Sequence, residues 1–214
     1  MLGRQKFNLK IDNWFSRRKF SHALKKAGIN KPIADFYQED EYAETMLQAL
    51  GFKDVQSIDA SAYENADLIW DLNTPVSDDL KGRFGLIVDG GTLEHVFNVA
   101  QSMENMVDML APGGRFLCFT PFNGYPGHGF YQFSPELVWS YWKDSCGFIV
   151  HDCYIADPSG RFVRDLANPR DAGKRIQFST GFPLNRRIPS RPLMMCFDVE
   201  KPVNYTAKTK AKAM

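Results

Sequence analysis

The chain has 214 residues, 44% of them hydrophobic and 24% charged, the balance of a globular protein able to bury one sizeable core. Lysine and arginine (26) nearly cancel aspartate and glutamate (25), so no global field recruits nucleic acid or an anionic membrane. No stretch approaches the ~20 consecutive apolar residues of a membrane span, and Met1-Leu2-Gly3-Arg4-Gln5 carries no secretory signal pattern.

Residues 12 to 27 read as a basic amphipathic helix. Asp12 or Asn13 can cap it, Trp14, Phe15, Phe20, Ala23 and Leu24 supply apolar surface, and Gly28 stops it. A second helix is predicted over residues 40 to 50, with Ala43, Met46, Leu47 and Leu50 at helical spacing and Gly51 at its end. Short apolar runs then recur. Val55 to Ile58 ends at Asp59, Ala66 to Trp70 at Asp71, Phe84 to Val88 at Asp89, and Arg115 to Thr120 at Pro121. Three of these four runs close on aspartate, which points carboxylates toward one edge of a sheet. Such runs, alternating with helices, predict a mainly parallel sheet covered on both faces.

Between the last two runs, Val99, Met103, Met106, Val107 and Leu110 follow helical spacing and close a right-handed strand–helix–strand crossover. Glu94 and His95 are assigned to the first turn of that helix, and Pro112-Gly113-Gly114 to a tight turn after it. A further helix starts at Ser134-Pro135-Glu136, where serine caps and proline takes the first turn, and ends near Gly147. Phe148-Ile149-Val150 and Leu193 to Phe197 are the final strands. Residues 157–192, rich in Pro, Gly, Asn and Arg, read as a long loop insertion. Residues 205–214 read as a basic, disordered tail. Cys118, Cys146, Cys153 and Cys196 lack disulfide-like or zinc-like spacing, which predicts reduced thiols, a cytoplasmic chain and no metal site.

The order of motifs resembles a class I S-adenosylmethionine-dependent methyltransferase. Phe84 to Val96, with Asp89-Gly90-Gly91-Thr92-Leu93-Glu94-His95, resembles that family's fourth motif, and Ala111-Pro112-Gly113-Gly114 its turn before the fifth strand. Asn123 to Pro135, including Gly127-His128-Gly129-Phe130-Tyr131-Gln132-Phe133, resembles a subgroup of methyltransferase-like proteins that carry this segment after the fifth strand. The family's opening glycine-rich loop has no counterpart upstream of Asp59 other than Gly3-Arg4. The resemblance implies a three-layer α/β/α sandwich with an antiparallel C-terminal strand, a single domain over residues 1–204 whose first 50 residues are helical. It implies S-adenosyl-L-methionine as cofactor, and Gly3, Arg4, Asp59, Asp71, Leu72, Asp89, Gly90 and Gly91 as residues that line it. Asp59 would hold the ribose hydroxyls and Asp71 would lie near the adenine amine.

Methyl transfer from a sulfonium is an in-line displacement, so the protein mainly aligns donor and acceptor. A base is required only for an acceptor with a proton to lose. His128, between two glycines on a loop after a strand, is a candidate for that role, and Glu94 and His95 are further candidates. Asn123, His128, Tyr131 and Phe133 are assigned to the acceptor pocket. Each has a structural alternative: Asp59 and Asp71 as turn residues, Gly90-Gly91 as a strand-to-helix turn, Arg4 as a solvated cation, His128 as a loop anchor, and Tyr131 and Phe133 as packing. The expected function is methylation of a small-molecule or glycan-precursor acceptor at oxygen or nitrogen, without nucleic acid or membrane partners. The missing glycine loop motivates a rival, a methyltransferase-like binding or assembly module that does not bind the cofactor. An enzyme using the same fold for another nucleotide-derived ligand is a third reading. Oligomeric state is not encoded in any motif.

Overall fold

The computed structural model describes residues 1–7, 14–158, 163–168 and 192–206. The chain forms two compact units, Met1–Trp70 and Asp71–Met214.

In the first unit, helix α1 spans Trp14–Lys26, with Lys25 and Lys26 in its last turn, where cations complement the helix dipole. Its proposed caps Asp12 and Asn13 lie outside the described residues. The Ile29 N–H reaches back to the Leu24 carbonyl at 2.9 Å, closing the helix across Gly28 as expected. Leu24 is buried, whereas Trp14 and Ala23 are exposed. Helix α2, Glu44–Ala49, is shorter than the predicted 40–50 and ends one residue before Leu50-Gly51. Strands β1 (Ile58–Asp59) and β2 (Leu68–Ile69) pair in parallel. Leu2, almost fully buried, forms a parallel bridge to Ile58, and the Gly3 N–H donates to the Ile58 carbonyl at 2.8 Å. Met1 to Gly3 thus extends the small sheet beyond β1.

The second unit holds the larger sheet. Strand β3 (Phe84–Asp89) leads through helix α3 (Val99–Met109) into strand β4 (Leu110–Asn123), which lies parallel to β3. Helix α4 (Leu137–Ser145) and strand β5 (Ile149–Ala156) follow, then β6 (Val163–Asp165) and β7 (Leu193–Glu200). The strand order is β3-β4-β7-β5-β6, with β7 antiparallel to both neighbours. The α/β class, the strand–helix–strand crossover and the antiparallel C-terminal strand are all present as expected.

Four local features differ from the sequence reading. Pro112-Gly113-Gly114 is not a separate turn but a bulge within β4, where pairing jumps from Phe84–Leu110 to Leu86–Arg115. A Cβ on Gly114 would lie 2.8 Å from the Ala111 carbonyl oxygen and 2.9 Å from that of Phe84, so only glycine fits. Second, Glu94 and His95 are not in the first turn of α3. They form a separate 3-10 turn, Leu93–His95, after which Val96 is extended. Third, α4 is a π-helix, shown by the Cys146 N–H reaching the Tyr141 carbonyl at 2.8 Å. Two turns of apolar spacing do not distinguish its period from that of an α-helix. Fourth, β6 occupies part of the expected 157–192 loop, pairing as an edge strand on β5. Three residues, two of them charged, leave no readable strand period, and charges are ordinary on a sheet edge. The rest of that loop, residues 159–162 and 169–191, and the tail from 207 onward lie outside the described residues.

The core of this unit is aromatic. Trp142 is fully buried, with ring centroids 5.4 Å from Phe116, 5.4 Å from Phe148 and 5.0 Å from Tyr141. Lys201 closes the far side of α3. Its Nζ donates to the carbonyls of Val107 and Leu110 at 2.7 Å each, satisfying carbonyls that the helix end leaves free. Trp142→Ala should therefore cost ~3–5 kcal/mol, as a lower urea midpoint at unchanged slope.

Candidate active site

Strands β3 and β4 are parallel neighbours, so the loops that follow them leave the same edge of the sheet. The β3 loop is shaped by Asp89. Its carboxylate is fully buried and accepts the Gly91 N–H at 3.0 Å and the Thr92 N–H at 2.7 Å on Oδ1, with the Leu93 N–H at 3.4 Å from Oδ2. Cys118 Sγ on β4 lies 3.5 Å from the same Oδ2. These donors fold the chain tightly after the strand and deliver Glu94 and His95. Burial outweighs the donors and pushes Asp89 up to about 6.

Glu94 is also fully buried, but neither carboxylate oxygen has a hydrogen-bond partner in good geometry among the described residues. It faces His128, whose Nε2 lies 3.4 Å from Glu94 Oε1. Burial raises the Glu94 carboxyl above its ordinary value, and the His128 contact opposes that rise. The His95 ring sits 4.8 Å from the His128 ring, edge to face, and is exposed. Partial desolvation, and then His128, lower His95. The ligand atoms of Glu94, His95 and His128 all lie within 4.8 Å of one another. Tyr125 completes the cluster, its ring 5.6 Å from that of His128.

The β4 loop reaches Glu94 through backbone. The Phe130 N–H donates to the Glu94 carbonyl at 2.7 Å. A Cβ on Gly129 would lie 2.7 Å from that carbonyl oxygen and 3.0 Å from Glu94 Cγ, so the Gly-His-Gly segment requires its second glycine for close approach. His128 itself stays half exposed, at 49% of its side chain. Beside it Phe97 and Phe130 meet edge to face at 5.6 Å and are 71% and 64% exposed. The Tyr131 hydroxyl donates to the Phe97 carbonyl at 2.6 Å, tying the two loops together. Phe133 is buried, and its N–H donates to the Pro121 carbonyl at 2.8 Å. Asn123 is the last residue of β4, opposite Leu193.

The structure thus brings together all three proton-transfer candidates, Glu94, His95 and His128. The Tyr131 hydroxyl ties the two loops, and Phe133 is buried after the β4 strand. Phe97 belongs to this neighbourhood without having been singled out from sequence, and Tyr125, Gly129 and Phe130 entered only as members of the Asn123-to-Pro135 motif. The repeated glycines around His128 were the readable signal, since a glycine on either side of a polar residue marks close backbone approach.

The cofactor candidates divide between the units. In the second, Asp71 Oδ1 accepts from the Asn73 N–H at 2.9 Å and from Asn73 Nδ2 at 2.7 Å, bonds that hold its carboxyl below the usual range. Leu72 is buried, and its carbonyl accepts from Ser102 Oγ at 3.0 Å and Asn105 Nδ2 at 3.2 Å. Gly90 is exposed next to Gly91. In the first unit, Asp59 Oδ1 accepts from Ser61 N–H at 2.9 Å and Ser61 Oγ at 3.3 Å, both within a local turn. Gly3 is buried beside β1. Arg4 is not a solvated cation. Its guanidinium donates to Glu44 Oε1 at 2.8 Å and Asp40 Oδ2 at 2.7 Å, and stacks 3.9 Å over the Tyr42 ring.

No protein-family model and no curated protein sequence matches this chain. Among solved structures, it is similar to a Bacillus halodurans C-125 protein with a provisional methyltransferase assignment, at 12% identity and a TM-score of 0.45, covering 73% of this chain and 85% of the other. It is similar to the MccD protein at 10% identity and a TM-score of 0.45, over 87% of this chain and 97% of the other. A third similarity, to the PH0226 protein of Pyrococcus horikoshii OT3, has 11% identity and a TM-score of 0.35 over 92% and 94% of the two chains.

Asp89 gives this turn a measurable pH signature. Its folded value of about 6 exceeds the ordinary 3.8, so the folded state favours the protonated acid. The resulting stability is complete below pH ~4 and is lost as pH rises through ~6, a change of about 3 kcal/mol. Asp89→Asn should remove this component from the pH dependence of urea unfolding between pH 4 and 7.

Proposed function

We propose that this chain is an S-adenosyl-L-methionine-dependent methyltransferase acting on an oxygen or nitrogen of a small-molecule or glycan-precursor acceptor. The supporting observation is the convergence of Glu94, His95 and His128 at one edge of the β3–β4 pair, from the two loops that carry the methyltransferase resemblance. The cofactor, when bound, supplies an electrophilic methyl group. The residues' own work is to hold the acceptor and receive its proton. Phe97 and Phe130 offer apolar surface next to the cluster, and an acceptor resting there places its hydroxyl or amine near His128. The proton leaves at the Glu94–His95–His128 cluster, where the buried carboxylate compensates the positive charge arriving on imidazole.

The fit to the cofactor is uneven across its expected contacts. Both hydrogen bonds that Asp59 makes with described residues fall on Oδ1, which suits a carboxylate presenting its other oxygen to a ribose diol. The exposed Gly90 likewise suits close approach of a ligand to backbone. Arg4 does not fit a contact with the methionine carboxylate, because Glu44, Asp40 and the Glu64 carbonyl engage all three nitrogens of its guanidinium. That observation favours the second reading, a methyltransferase-like binding or assembly module.

Calorimetry with S-adenosylmethionine and S-adenosylhomocysteine separates the two. Saturable binding is expected, and Asp59→Ala should weaken it by at least about tenfold, the scale of a charge-assisted hydrogen bond. Folded protein that shows no heat at millimolar ligand would exclude the enzyme reading. His128→Ala should leave cofactor affinity intact and lower turnover about 10²–10⁴-fold, the usual range for a lost proton acceptor. Full turnover in that variant would reduce His128 to a loop anchor.

A further inference from the structure

We propose that Glu94, His95 and His128 form a binding site for a divalent first-row transition ion, zinc being the best match. Two imidazoles and one carboxylate make a donor set that suits zinc, iron or nickel rather than magnesium or calcium, which prefer oxygen alone. Three protein ligands leave a coordination position open for water or for an oxygen of a bound molecule, the pattern of a reactive rather than a structural site.

Three independent features support the assignment. The first is the unmet need of Glu94. A carboxylate so deeply buried ordinarily has donors or a cation, and both of its oxygens lack a hydrogen-bond partner among the described residues. Asp89, equally buried and five residues earlier, has backbone donors from its own turn. The turn therefore supplies donors to one acid and leaves the other directed at two imidazoles.

Spacing is the second. Ligands at ~2.0–2.2 Å from a tetrahedral ion stand roughly 3.3–3.6 Å apart. Glu94 Oε1 and His128 Nε2 are already 3.4 Å apart, and the full set lies within 4.8 Å. His95, whose ring packs edge to face on that of His128, offers the third donor within this 4.8 Å.

The third is preorganisation. Gly91 and Gly129 flank Glu94 so closely that an added Cβ would stand 3.1 Å from its Oε1 and 3.0 Å from its Cγ. The Phe130 to Glu94 backbone bond fixes the histidine loop against the acid. The carboxylate thus has little freedom to swing away from the imidazoles, and holding the donors in place reduces the entropy lost on binding.

This inference rests on the same residues as the proposed proton-transfer cluster but gives them another role. Nitrogens that ligate an ion no longer accept a proton, and the ion would instead lower the proton affinity of a hydroxyl bound in its open position, the proton passing to solvent. Ion binding is nonetheless read without any methyl donor or acceptor, so it can succeed or fail independently of methyl transfer. Tag-free full-length protein, stripped with a chelator, is titrated with Co²⁺ and followed by visible absorption and calorimetry. One Co²⁺ per chain, displaced by Zn²⁺, is expected. His95→Ala and His128→Ala should each weaken binding about tenfold or more, the scale of a lost ligand or its support. His151→Ala, which alters the separate His151–Glu200 pair, should not. Both histidines are exposed, so these variants are expected to fold, and melting curves with and without Zn²⁺ check this directly. No saturable uptake of either ion, or uptake unchanged in both His95→Ala and His128→Ala, would overturn the proposal.

Discussion

The Asp89 carboxylate determines where everything in the site lies. It ends β3, and by drawing in the N–H groups of Gly91 and Thr92 it forces the chain to turn before α3 can begin. Without that capture the next residues would most simply continue into the helix, and Glu94 would project from a helical first turn. Instead Glu94 is folded inward beneath the histidine loop, while α3 waits until Val99, with Asn98 accepting from Gln101 at its start. One side chain at a strand end thus converts a generic crossover into a turn that presents an acid.

That arrangement is costly. Two carboxylates are buried within six residues of each other, and only the first has fixed donors. A sequence selected for stability alone would replace Glu94 with an apolar residue of similar volume. Strain of this kind is concentrated where chemistry or binding compensates for it, and the rest of the second unit is built to support it. The aromatic core around Trp142, the Lys201 cap on α3, and the Asn105 side chain bridging Leu72, Thr74 and Val76 all secure elements on which the two loops are mounted.

Much of the fold was legible because it rests on period and punctuation. Each apolar run that closes on aspartate contains a strand, though only two residues long at Ile58–Asp59 and Leu68–Ile69. Val99 to Met109 became α3, with Leu110 already in β4, and Gly28 closed α1 as glycine spacing suggested. What failed to show had no local signal. The bulge at Gly114 depends on the carbonyls of Phe84 and Ala111, one of them thirty residues away in sequence. Strand β6 exists because β5 offers an edge. In the site, the resemblance brought attention to Glu94, His95 and His128, and the structure brings the three together. It could not reveal that Arg4 answers to Asp40 and Glu44, since those partners lie 36 and 40 residues away.

Gly129 has a consequence for anyone wishing to retune this protein. Its position leaves no room for a Cβ, which would stand 2.7 Å from the Glu94 carbonyl oxygen, so the residue works as a spacer of fixed thickness between two loops. Adding a single methyl group would lift the histidine loop off the acid while leaving every donor atom chemically unchanged. The position is therefore a mechanical adjustment screw: it alters the distance between imidazole and carboxylate without altering the identity of either.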